Sequence, residues 1–261
     1  MEKGRKDLKI GIAFGSGGAK GTALLGALKA FEEEGISFDV IAGTSIGSIV
    51  GALYAKGYSS DDMMALLKEV VIGDVQMALM LALGMINISE IINRFTGGAY
   101  FSDLKKPFKA VAVDMDEGKE VLLSEGELSI ALAASSSVPP FPPVNLNGKR
   151  LVDGAFLNYV PSDVVKDMGA DVVIAINLGK DQETNQVIKR TLDELHPNNG
   201  IPLTDRSVKC YKYADFVLEP DLGRFSTSSL RGLDDMYDIG YKAAKDKMGQ
   251  IKAIISNKRK G

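Results

Sequence analysis

Histidine occurs once in this chain of 261 residues, cysteine once, and tryptophan not at all. Each scarcity removes a kind of chemistry. One cysteine, Cys210, excludes an intrachain disulfide and any zinc site built on cysteines, and it suits a reducing compartment. The lone His196 lies in Leu195-His196-Pro197-Asn198-Asn199-Gly200, a polar, turn-like stretch. A Ser-His-Asp triad would have to use it, yet a general base needs a fixed, partly buried place beside its nucleophile. His196 reads instead as a loop residue. An excess of positive charge is also missing: 31 Lys and Arg against 34 Asp and Glu leave a net charge of −3. That argues against a nucleic-acid partner, which calls for a basic face. No run reaches the ~18 apolar residues of a membrane span, and Leu8–Phe14 is too short for the core of a signal peptide. A cytoplasmic protein is the expectation.

What is present is a strongly apolar α/β pattern. Leu8–Phe14 reads as a buried strand and Gly15–Gly21 as a glycine loop. Thr22–Glu34 reads as a helix stopped by Gly35. Phe38–Ala42 is a second strand, and a helix with Ile46, Ile49, Val50 and Leu53 on its buried face follows. Two β-α units in about fifty residues imply a parallel sheet. Ser60-Asp61-Asp62 reads as a capped helix start. Phe108–Val113 and Glu120–Leu123 read as a hairpin, Asn147-Gly148 as the turn of a second, and Asp171–Leu178 as another buried strand. A long amphipathic helix over Leu233–Ile255 is expected to dock back on the sheet. With no repeat and no linker, residues 1–261 read as one domain, its motif-bearing core about 8–178 and its helical C-terminal part about 206–256.

Three stretches carry chemistry. Gly43-Thr44-Ser45-Ile46-Gly47 has the Gly-x-Ser-x-Gly form that lifts a serine hydroxyl out of a tight strand-to-helix corner, which makes Ser45 the candidate nucleophile. Gly43 and Gly47 suit a corner where neighbouring chain packs too close for a Cβ. The loop Gly15-Ser16-Gly17-Gly18-Ala19-Lys20-Gly21 fails as a Walker A loop, because Lys20 lies between Ala19 and Gly21. As a dinucleotide fingerprint it has lysine where the last glycine belongs. It fits a cradle of backbone N–H groups at a helix start, aimed at an oxyanion. Lys20 falls in the first helical turn, where a cation opposes the helix dipole and helix stability alone would not favour it. With histidine discounted, the base should be a carboxylate in a shielded pocket, since an aspartate ionising near ~3.9 is otherwise a poor base. Residue chemistry alone does not choose among the aspartates. Asp153, after Leu151-Val152 and before Gly154, is one of them, and Asp-Gly is also an ordinary turn.

Taken in order, Gly17-Gly18-Ala19-Lys20-Gly21, Gly43-Thr44-Ser45-Ile46-Gly47 and Asp153-Gly154-Ala155 resemble the patatin-like phospholipases, the bacterial branch above all. The resemblance runs from about Ile10 to Asn177 and takes in Ser124-Glu125-Gly126, the proline segment Val138–Val144 and Asn158–Pro161. It implies a three-layer α/β/α fold with a mainly parallel sheet and a Ser-Asp dyad without histidine. Ser45 would be the nucleophile, Asp153 the base, and Gly17 and Gly18 the oxyanion donors. The family usually has three consecutive glycines where this chain has Ser16 before Gly17. The activity implied is hydrolysis of carboxylic esters of (lyso)phospholipids or related acyl lipids, with no metal or cofactor. Two other readings stay open: a regulatory or binding module with an idle site, and an acyl-thioester hydrolase or acyltransferase. The methionine-rich apolar segment 76–86 reads as an acyl pocket, a membrane-surface contact, a buried helix or a dimer contact.

Overall fold

The structure, a computed structural model, describes residues 8–69, 88–138, 141–179 and 210–260. His196 and the 76–86 segment lie outside the described residues.

Among the described residues eight strands form one sheet: β1 (Ile10–Phe14), β2 (Val40–Thr44), β3 (Phe108–Asp114), β4 (Lys119–Leu123), β5 (Val144–Leu146), β6 (Lys149–Asp153), β7 (Val172–Ile176) and β8 (Phe216–Leu218). Their order is β5-β6-β3-β2-β1-β7-β8, with β4 on the far edge of β3. The run β3-β2-β1-β7-β8 is parallel throughout; β4, β5 and β6 add to it in antiparallel fashion.

Alternation along β1 shows why the sheet is covered on both faces. Ile10, Ile12 and Phe14 enter one core with α1 (Thr22–Glu33), α2 (Ile46–Lys56) and the C-terminal helix α7 (Leu233–Lys260). Ala13, on the other face, joins a smaller core with Val164 and Val165 of α6 (Ser162–Asp167). A Cβ at Gly11 would stand 2.2 Å from Val165 Cγ1, so α6 lies against bare backbone there. The described residues thus have the three-layer arrangement expected. The remaining α-helices among the described residues are α3 (Ser60–Leu67), α4 (Ile88–Thr96) and α5 (Leu128–Ser135).

The long C-terminal helix docks chiefly on α1 and not, as expected, chiefly on the sheet, and it does so through two glycines. A Cβ on Gly26 of α1 would fall 1.9 Å from the Tyr237 carbonyl oxygen, and one on Gly240 of α7 would fall 2.0 Å from that of Ala23. The helix backbones therefore touch at the crossing. Glu33 and Glu34 at the end of α1 then pair with Lys245 and Lys252 of α7.

Two local expectations are corrected. The cap of α3 is Ser59, one residue earlier than read: its hydroxyl accepts from Asp62 N–H, and the Asp62 carboxylate accepts from Ser59 N–H in a capping box. Ser60 turns inward and bonds Glu32 instead. The second strand also starts and ends two residues later than read, so it runs directly into Ser45.

Candidate active site

Strand register brings the candidate residues together. β2 runs parallel to β3 and pairs with it up to Thr44↔Val111. β6 runs antiparallel along the same edge of β3 and ends at Asp153↔Ala112. The two strands therefore approach head-on, and the next residue of β2 is Ser45. A separation of 108 positions in sequence closes at one break in the sheet, where the Ser45 hydroxyl comes close enough to the Asp153 carboxylate to lower its pKa.

Ser45 holds φ 56° and ψ −127°, one of two non-glycine residues with positive φ among those described. Such a conformation costs on the order of 1–3 kcal/mol and persists only where its surroundings over-determine it. Here they do. A Cβ on Gly43 would meet the Gly47 carbonyl oxygen at 2.2 Å, and one on Gly47 would meet those of Phe14 and Gly15 at 2.3 and 2.6 Å. Both glycines are needed for the corner to close against β1. Ser45 N–H donates to Ser135 Oγ at 3.1 Å, Thr44 Oγ1 to the Asn158 carbonyl at 2.8 Å, and Ser48 Oγ to the Ser45 carbonyl at 2.7 Å.

Asp153 is 1% exposed. Its carboxylate accepts from Ala155 N–H at 2.8 Å, and its own N–H donates to the Ser137 carbonyl at 3.0 Å. No cation pairs with it among the described residues. Burial consequently dominates and raises its pKa to about 7, against the lowering effect of the Ser45 hydroxyl and the Ala155 amide. Gly154 follows because a Cβ there would lie 2.3 Å from the Val111 carbonyl oxygen.

The glycine loop leaves the end of β1, next to β2, and leans on the elbow: a Cβ on Gly21 would stand 2.2 Å from Ile46 Cγ1. Gly18–Gly21 form a single 3-10 turn ahead of α1, so Lys20 lies in that turn and not in the α-helix itself; its side chain is fully buried. The N–H groups of Gly15, Ser16 and Ala19 are already used, on the carbonyls of Ile176, Tyr159 and Thr227. Those of Gly17 and Gly18 have no acceptor among the described residues. Leu178 fills the space beside Gly17, and the Thr227 carbonyl oxygen would be 2.3 Å from a Cβ at Gly18. Ser16, at the place of the usual first glycine, is buried, with its amide tied to Tyr159.

Sequence reasoning missed three contributors: Ser135, Ser137 and Thr227. The proline-dense run after Ser137 marks that segment only as irregular chain. Nothing local in the polar stretch Ser226-Thr227-Ser228-Ser229 singles out Thr227, since its part is played by a backbone carbonyl.

Residues 12–166 match the sequence model described as "Patatin-like phospholipase". The chain is 33% identical over 272 residues to patatin-like phospholipase domain-containing protein 7 of Rattus norvegicus, covering 89% of this chain and 20% of that protein. To lysophospholipase nte1 of Aspergillus niger it is 26% identical over 278 residues, covering 93% and 18%. The chain thus spans about a fifth of the length of these curated relatives. In fold it is similar to human GIVD cytosolic phospholipase A2, solved in complex with a methyl gamma-linolenyl fluorophosphonate inhibitor. The TM-score is 0.56 at 13% identity, over 97% of this chain and 60% of that one.

Proposed function

The chain belongs to the patatin-like phospholipase family, and from that premise we propose that it is a serine esterase acting on acyl lipids through Ser45 and Asp153. The observation that carries this is the contact of Ser45, on a strained elbow, with a buried aspartate whose pKa is raised to about 7. A carboxylate at that pKa is poised to accept a proton at neutral pH, as an ordinary aspartate is not.

Asp153 takes the proton from Ser45 Oγ as that oxygen attacks the ester carbonyl. The electron pair displaced onto the carbonyl oxygen is held by the N–H groups of Gly17 and Gly18, each such donor contributing about 3–4 kcal/mol of transition-state stabilisation. Collapse of the tetrahedral intermediate breaks the ester C–O bond, and Asp153 returns its proton to the departing alkoxide oxygen. Water, deprotonated by Asp153, then attacks the acyl-enzyme; the acyl C–Oγ bond breaks, Asp153 gives the proton to Ser45 Oγ, and the fatty acid is released. (Lyso)phospholipid esters are the proposed substrates, in keeping with the family and with the name of the Aspergillus niger relative. Among the described residues no helix is long and apolar enough to cross a membrane. Such a substrate would be met at a lipid surface, with contact there through the 76–86 segment part of the same proposal, as is self-association.

The test is hydrolysis of a chromogenic fatty ester, and of a lysophospholipid, by the purified protein and by Ser45→Ala and Asp153→Asn. Both variants should stay folded and lose activity by roughly a thousandfold or more, on the order of what removing a nucleophile or base costs. Fluorophosphonate labelling that vanishes in Ser45→Ala identifies the labelled residue. Activity retained in Ser45→Ala, or a parent protein that never labels, would sink the proposal in favour of a binding module.

A further inference from the structure

Three consecutive serines, Ser135-Ser136-Ser137, close α5, and the outer two touch both halves of the site. Ser137 gives its carbonyl to Asp153 N–H. Ser135 does more. Its fully buried hydroxyl accepts from Ser45 N–H at 3.1 Å and donates to the Val111 carbonyl at 2.6 Å. Thr44 is paired with Val111 in the β2–β3 ladder, so Ser45 is the first residue beyond the last registered pair. A strand that simply continued would carry its next N–H toward that same carbonyl. The Ser135 hydroxyl stands between the two groups and satisfies both, where β2 turns out of the sheet.

We infer that Ser135 is a positioning residue for the nucleophile: its hydroxyl holds the Ser45 backbone off the β3 ladder in the positive-φ turn that aims Ser45 Oγ at Asp153. This inference rests on the catalytic reading of Ser45 and Asp153 given above. Two consequences follow from the bonding. The Ser45 N–H is spent on Ser135, so it does not serve the oxyanion, and that task falls to the glycine loop. Without the hydroxyl, Ser45 N–H and Val111 C=O are left either to bond one another directly or to go unpaired in the interior. The first draws Ser45 toward β3 and away from its place beside the aspartate, and the second leaves the turn without the bonds that pin it. A displacement of about 1 Å at a reacting atom costs about a hundredfold in rate.

The experiment compares Ser135→Ala with Ser136→Ala, using kcat, KM and the pH dependence of kcat/KM on a soluble fatty ester, each corrected for folded protein. Ser136 is the internal control, because its buried hydroxyl has no partner among the described residues and its removal breaks no bond there. Ser135→Ala should lower kcat by about ten- to a hundredfold with KM changed by less than about threefold. Its rate profile should also move to higher pH, since the Ser45 hydroxyl that holds the Asp153 pKa down is withdrawn. Ser136→Ala should match the parent in all three. If Ser135→Ala does not fold, Ser135→Cys, of similar size but a weaker hydrogen-bonding partner, should shift the same quantities in the same direction by less. A kcat within about twofold of the parent, or a pH profile that does not move, overturns the positioning role. Since that outcome would leave Ser45→Ala inactive, it is distinguishable from failure of the catalytic reading, in which Ser45→Ala stays active.

Discussion

Two aspartates on neighbouring strands, Asp114 at the end of β3 and Asp153 at the end of β6, are 2% and 1% exposed, yet their surroundings push them in opposite directions. Asp114 lies just beneath the surface under Lys149, whose ammonium is 2.7 Å away while its side chain stays 41% exposed. The carboxylate also accepts from the amides of Asp116 and Glu117 at 3.1 and 3.3 Å. That company holds its pKa below the ordinary range, the Lys149 hydrogen bond being the largest cause. Asp153 has one amide, one hydroxyl and no cation among the described residues, and its pKa rises to about 7. Low exposure is common to both. What differs is depth and company: desolvation is the leading influence on Asp153, whereas the Lys149 hydrogen bond leads for Asp114, which suits one to the proposed role of base and makes the other a fixed structural anion.

The largest effect should appear when each is made an amide. Asp153→Asn removes the proposed proton acceptor and should abolish ester hydrolysis while the protein stays folded. Asp114→Asn removes the partner of Lys149 and should lower the thermal midpoint while leaving kcat per folded molecule unchanged. Equal losses of kcat in the two variants would break the distinction between them.

A second effect concerns stability against pH, where the two groups carry opposite signs. Asp153 titrates higher in the folded chain than the ~3.9 of an unfolded one, so between those values the folded state binds more protons. Its contribution therefore worsens as pH rises from about 4 through about 7, by on the order of 4 kcal/mol at about 1.4 kcal/mol per unit. Asp114 titrates lower in the folded chain, so its contribution is present above the unfolded pKa and is lost as pH falls through the folded one. Asp153→Asn should consequently be more stable than the parent at about pH 8, and the gain should vanish near pH ~4. Thermal unfolding across that range checks it. The same ionisation should make kcat/KM rise with pH through about 7 and then level, because the proposed base acts as its carboxylate.

The two aspartates also mark how far the residues alone could be read. Ser45, Gly43 and Gly47 were legible because an elbow is local: five consecutive residues contain the strand end, the strained corner and both close approaches. The sheet was legible from its apolar runs for the same reason. Nothing local separates Asp153 from Asp114, as both end a strand and both precede a turn. The distinction comes from Lys149 reaching Asp114 across 35 positions and Ser45 reaching Asp153 across 108. Only resemblance to a family chooses Asp153 from the sequence. The Ser135 bridge spans 90 positions to Ser45 and 24 to Val111, so it too left no local pattern. Gly26 and Gly240 left none either, since a helical glycine alone does not mark a crossing: Gly249 of the same helix α7 has nothing within 4 Å of an added Cβ.

The smallest expected effect tests whether donors or burial set the contrast. Lys149→Met keeps a long side chain over Asp114 and deletes only the charge. Activity should not change, because Asp114 touches nothing in the site, and the loss of stability should be slight for a pair whose lysine is half in solvent. The Asp114 carboxyl, followed by carbon-detected NMR titration, should rise from its lowered value, since its largest stabilising donor is gone. It should nonetheless stay well below Asp153. The amides of Asp116 and Glu117 still point at it, and water reaches the space the ammonium left. Were Asp114 to climb to the Asp153 value near 7 in this variant, the Lys149 ammonium alone would account for the contrast, and the deeper burial of Asp153 would not be what sets it apart.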